Sequence, residues 1–190
     1  MSFAHGATAE GVSLEEVPWP EVAQCAPCVN VQFGKLQLHF SPHEIENLLV
    51  VNSEASPLHV FYLSPDKTTV SATFLSQRQE RFASYVQRGF FSQYGIKSNR
   101  DFFEAIGRVP DTNDSALALM RKVEGLGKAV KYLGASKGSL HVYWIQSPAG
   151  ETQHVYFAID GQDELYQLSG SISETFFQTV LGRLEIKEIP

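Results

Sequence analysis

The chain of 190 residues has little cysteine, no long apolar run and no strong charge of one sign. With only two cysteines, Cys25 and Cys28, a disulfide-stapled scaffold is excluded, and the chain is long enough to rely on a packed core instead. No stretch approaches the ~20 consecutive apolar residues of a membrane-spanning helix. The opening Met1-Ser-Phe-Ala-His-Gly lacks a positive segment followed by an apolar one, so it does not read as a secretory signal. A net charge of −6 gives no electrostatic footprint for non-specific nucleic-acid binding. The hydrophobic fraction of 43% and charged fraction of 19% exclude wholesale disorder. These absences point to a soluble, cytoplasmic globular protein without nucleic-acid or membrane partners.

Catalytic signatures are missing as well. There is no nucleophile elbow, glycine-rich phosphate loop, HExxH helix or calcium loop. Gly125-Leu-Gly127 lacks the third glycine of a dinucleotide fingerprint and falls inside a helical pattern. No residue stands out as catalytic.

What is present is a legible order of elements. Residues 1–24 are small, acidic and proline-containing, and read as a poorly ordered N-terminal arm. Residues 25–190 read as a single domain. Val29–Phe33 and Leu36–Phe40 alternate around Gly34-Lys35, which predicts a hairpin. Ser41-Pro42 with Glu44 predicts a helix start, carrying Ile45, Leu48 and Leu49. Leu58–Leu63 and Thr68–Leu75 read as a second strand pair. Helices are expected from Gln77 to about Tyr94, after Ser98, and from Ser115 to about Leu133. Leu140–Ile145, His154–Ile159 and Leu165–Leu168 form a meander broken by Ser147-Pro-Ala-Gly150 and Asp160-Gly161. Ser171-Ile-Ser-Glu174 predicts a capping box for a last helix with Phe176, Phe177, Val180, Leu181 and Leu184 on one stripe.

The expectation is α+β: a mainly antiparallel sheet from two groups of strands, 29–75 and 139–169, packed with about five helices in a two- or three-layer sandwich. This order of elements, with a late meander feeding a terminal helix, resembles small sandwiches of the Mog1/PsbP kind. The resemblance implies a fold and carries no functional residue.

Three constellations deserve chemical readings. Cys25-x2-Cys28-x10-His39-x3-His43 offers thiolate and imidazole donors of the kind zinc takes. A zinc finger wants roughly 12–15 residues between its pairs and both histidines on one helix, so only a non-classical site fits. Cys25-Ala-Pro-Cys28 also has redox-motif spacing, and a local disulfide is the plain alternative. Zinc is the one cofactor the sequence suggests. His59, His141 and His154 fall in predicted strands beside Tyr143 and Tyr156, and these five are the candidate lining of a ligand pocket. Finally, 11 of the 15 Lys and Arg lie between Arg78 and Lys137, with 6 of the 21 acidic residues, so a basic middle sits between acidic ends.

The sequence therefore favours a non-enzymatic binding or adaptor protein working through protein–protein contacts, an inhibitor or immunity-type partner or a self-associating chain. An enzyme or small-ligand carrier with a His/Tyr-lined pocket is the first alternative. A metal or redox module at Cys25 and Cys28 is the second.

Overall fold

The structure is a computed structural model and describes residues 11–43, 45–50, 58–63, 70–78, 92–110 and 115–187. In chain order its strands are β1 Leu14–Glu16, β2 Val29–Phe33, β3 Leu36–Phe40, β4 Ile45–Val50, β5 Leu58–Leu63 and β6 Val70–Arg78. A short 3₁₀ turn at Ser92–Tyr94 precedes helices α1, Asn99–Arg108, and α2, Ala116–Val123. Then come β7 Lys131–Lys137, β8 Leu140–Gln146, β9 Gln153–Ile159, β10 Leu165–Gly170, helix α3 Glu174–Gly182 and β11 Glu185–Ile186. Strands β4 to β6 are described here by backbone and register alone.

Among the described residues, one eight-stranded sheet runs β1-β7-β8-β9-β10-β6-β5-β4. Its neighbours are antiparallel except β1, which lies parallel to β7. A second, three-stranded sheet runs β11-β3-β2. The α+β class with antiparallel sheets is as the strand patterns imply.

Alternation along β8 and β9 creates two cores, because successive side chains point to opposite faces. Leu140, Val142, Trp144, Val155 and Phe157 join Leu36, Leu38 and Phe40 of the small sheet and Phe176, Phe177 and Leu181 of α3. Tyr143, Ile145, Tyr156 and Ala158 on the other face join Phe102, Phe103 and Ile106 of α1 and Leu117 and Met120 of α2. Six consecutive residues of β8, Leu140 to Ile145, are therefore buried, as in a strand covered on both faces. Each large side chain so buried stabilises the fold by about 1.5–3 kcal/mol.

The two sheets meet closely at one glycine. Gly34 turns the β2–β3 hairpin with φ +54°, and a Cβ there would overlap the ring of Tyr166. The Tyr166 hydroxyl accepts the Lys35 backbone N–H at 3.0 Å, which fixes the small sheet against β10.

Several expectations need correction. Three α-helices are described where about five were expected. Ser41-Pro42-His43 forms a turn rather than a helix start, and Ile45–Val50 continues as β4, paired with β5. The capping signal is local and worth little, whereas pairing with the β-rich Leu58–Leu63 satisfies a whole ladder. The helix expected to reach Leu133 ends at Val123, where Glu124 caps it and turns follow to Lys128. Lys131–Lys137 is instead β7, lying between the edge strand β1 and β8. Gln77 and Arg78, expected to open a helix, end β6, and the rest of that expected helix to residue 91 lies outside the described residues. The last helix is capped by Ser173, whose Oγ accepts from Phe176 N–H at 3.1 Å, rather than by Ser171. Within the expected N-terminal arm, residues 14–16 supply the edge strand β1, while residues 1–10 lie outside the described residues. No described helix is long and apolar enough to cross a membrane.

Candidate functional site

A cleft of about 560 Å³ opens where the end of α2 meets β8, β9 and β10. Its floor follows from strand alternation. His154 and Tyr156 are two apart on β9 and share a face with Gln167 and Ser169 on β10, their register partners in crossed order: Tyr156 opposes Gln167 and His154 opposes Ser169. His154 Nδ1 lies 3.0 Å from Ser169 Oγ and 2.8 Å from Gln167 Nε2. The Gln167 amide also donates to Ser169 Oγ at 2.9 Å. The wall comes from α2's end. Glu124, 6% exposed, accepts the Tyr156 hydroxyl at 3.0 Å through Oε2. Lys128 and Glu151 stand at the rim, with Ser147 and Thr152 between them.

The lip beside the wall is apolar. Leu119 and Val123 are 55% and 60% exposed, one helical turn apart on α2. Val130, at the entry to β7, is 55% exposed. Of the three, Val123 lines the cleft and Leu119 adjoins it on the helix face, while Val130 is the kind of single exposed apolar side chain that is ordinary on a surface.

Of the five residues expected to line a pocket, His154 and Tyr156 line this cleft. Tyr143 opposes Tyr156 in register but is covered by α1: its ring stacks on Phe103 at 5.1 Å. Burial, with the nearby Glu104 carboxylate second, holds the Tyr143 phenol well above its ordinary pKa. His141 is at the far end of β8, because the register places it against Ala158 while His154 opposes Ile145. There its Nδ1 meets Ser136 Oγ at 2.9 Å and its Nε2 lies 3.1 Å from Asp160 Oδ2. Asp160 is 3.8 Å from Arg100, which also pairs with Glu104 at 2.8 Å. The hydrogen bond to Glu104 holds the Arg100 guanidinium above its ordinary pKa, against the opposing effect of burial. His59 enters by register alone: it opposes Phe74, which opposes Ser169, which opposes His154, so the two histidines lie on one cross-strand row.

The four expected metal ligands are spread otherwise. Cys25 and Cys28 are joined in a disulfide, so neither presents a thiolate. His39 Nδ1 lies 2.7 Å from Asn30 Oδ1, and its Nε2 is 3.4 Å from Glu185 Oε2. His43 lies in the turn after β3, where its backbone N–H reaches Ser41 Oγ at 3.4 Å. Among the described residues no three His, Cys, Asp or Glu gather as a metal site.

Sequence reasoning missed Glu124, Gln167 and Ser169. Glu124 carried a signal. A carboxylate at a helix C-terminus opposes the helix dipole, so an acidic residue just before Gly125 calls for a compensating partner, here the Tyr156 hydroxyl. Gln167 carried one too, as a polar residue between Tyr166 and Leu168 in a strand otherwise buried. No protein-family model matches the chain, and no curated protein matches it either.

Proposed function

We propose that this chain is a non-enzymatic binding protein that recognises a polypeptide partner through the outer face of α2 and the adjoining cleft. The observation that carries the reading is the exposed Val123 at the lip of a cleft with a hydrogen-bonded polar floor, with the exposed Leu119 one helical turn away. Interfaces combine an apolar anchor with a polar rim, and this surface offers both side by side. The floor groups are held by the fold itself: His154 by Ser169 and Gln167, Glu124 by Tyr156. That favours a shaped recognition surface over a poised general base, which must face the proton it takes. Because both cores share β8 and β9, residues 25–190 are read as one domain presenting this surface. The likeness to Mog1/PsbP sandwiches rests on an expected order of elements that the described strands and helices do not follow, and it has no part in this reading.

A photo-crosslinking side chain placed at Val123, in extract of the source cells, tests the proposal. A discrete adduct that disappears with Leu119→Asp, and that a crosslinker at the exposed Lys187 does not give, is the expected result. An adduct only with a second copy would identify the partner as this chain itself. No adduct beyond the Lys187 control would remove the proposal.

A second reading, a small polar ligand or substrate in the same cleft, is favoured by the cleft's volume, which falls in the ~300–1,000 Å³ range of small-molecule sites. It predicts that Tyr156→Phe and His154→Ala weaken a ligand found by thermal-shift screening, while Leu119→Asp leaves that ligand's affinity unchanged.

A further inference from the structure

We propose that the chain carries a second, separate site: a pocket beneath residues 17–21 that takes a small aromatic or aliphatic molecule ending in a positively charged amine. The roof of this pocket is a strap fixed at both ends. At its start, Val17 N–H donates to Gly134 O at 2.7 Å, directly after β1 pairs with β7. At its end, Arg183 Nε donates to Ala23 O at 2.8 Å. Gly182 of α3 lets the strap approach, since a Cβ there would overlap Val22 and press on the Pro20 carbonyl. Between these anchors Pro18 and Pro20 restrict the backbone, so the strap bridges rather than collapses.

Under the strap lies a cavity of about 440 Å³. Its floor is Leu133, Trp144, Phe177 and Leu181, all part of the core between the sheet and α3. The Trp144 and Phe177 rings meet at 4.3 Å between centroids, giving an aromatic surface. Trp144 is 2% exposed, and its Nε1 has no hydrogen-bond partner among the described residues. Buried indole N–H groups ordinarily have one, and an ammonium, which only donates, would not supply it, so this donor does not bear on the choice of ligand.

The charge at the mouth selects the ligand. Glu21 from the strap and Glu174 from the first turn of α3 line the rim, with Gln178 beside them. Among the described residues, no Lys, Arg or His lines the cavity. Lys137 stacks over Trp19 at 5.6 Å, and neither residue is part of the lining. Two carboxylates at the mouth of an apolar cavity suit a ligand with a cationic end by charge, and repel an anion of the same shape. The exposed carboxylates act chiefly on selectivity, because ion pairs open to water contribute little affinity. The apolar floor supplies most of the binding.

Trp19→Phe leaves Trp144 as the single tryptophan, since the chain has two. Titration of that protein with phenylbutylamine, and with the isosteric phenylbutanoate, is followed by tryptophan fluorescence. The expected result is saturable binding of the amine, at least about tenfold tighter than the carboxylate, a difference of one decade in Kd. Glu21→Gln with Glu174→Gln, both exposed positions, brings the two affinities together with only a small fall in melting temperature, from the loss of the Glu174 carboxylate at the N-terminus of α3. Absence of saturable binding by the amine, or equal binding of the carboxylate to the unmodified rim, would overturn the proposal.

Discussion

Tyr143 shows at the scale of one side chain how a covering helix alters chemistry. It is placed under Phe103, and burial raises its phenol pKa well above the ordinary 10.0. Tyr132, buried with its hydroxyl on Phe103 O at 2.9 Å, and Tyr166 are shifted the same way, burial being the largest cause for each. The sign is fixed by proton counting. Above the ordinary value of 10.0 an unfolded tyrosine loses its proton while these keep theirs, so the folded state holds more protons. Their contribution is complete below that pH and is lost as pH rises through it. Calorimetric melting temperatures should fall in the alkaline range, and Tyr143→Phe should fall less steeply than the parent; parallel curves would contradict this. Gly34 gives a second expectation at this scale. Alanine there meets Tyr166 in a left-handed backbone conformation, so Gly34→Ala should lower stability by about 1–3 kcal/mol in denaturant melts. The pairing of His154 with Tyr156 could be read from the alternation of one strand. Glu124 could not be placed beside them, because that contact joins residues 32 apart and depends on where α2 stops.

Elements were legible where the local signal and the long-range pairing agree. The β2–β3 hairpin, the β8–β10 meander, the Ser98 cap of α1 and the Ser115 cap of α2 all follow from nearest-neighbour chemistry. Segments 45–50 and 131–137 were not, because each carries helix-like apolar spacing and becomes a strand only when a partner strand is present. The three residues of β1 are too few to show any period, yet they form the parallel edge of the sheet. Their hold on β7 rests partly on the Val17 N–H. Val17→Pro removes that donor, and the expected cost is about 1 kcal/mol. Faster hydrogen exchange of the outer β7 amides, with β9 unchanged, would locate the loss.

Across the whole molecule, the central strands serve two cores at once, so neither half is expected to melt alone. Helix α3 contributes Phe176, Phe177 and Leu181 to one of them, and Leu184 follows directly. Removing residues 174–184 takes away several contributions of about 1.5–3 kcal/mol each, comparable with the ~5–15 kcal/mol by which whole domains are stable. The truncated chain should lack a cooperative transition by circular dichroism; a near-native melt would refute the shared-core account. The basic middle of the sequence is partly consumed internally. Arg100 and Arg108 pair with Glu104 along α1, and Arg121, 1% exposed, donates to the carbonyls of Ile106 and Val12. Part of a charge asymmetry that looked like a surface is thus an internal fastening.

The strap over residues 17–21 has a consequence for synthesis. Its far anchor on Arg183 is separated from Ala23 by 160 residues, so the strap is synthesised before its partner. At roughly 5–20 residues per second, about 8–30 seconds pass before both ends can be tied down. The roof of the pocket is therefore made well before it can be secured at both ends.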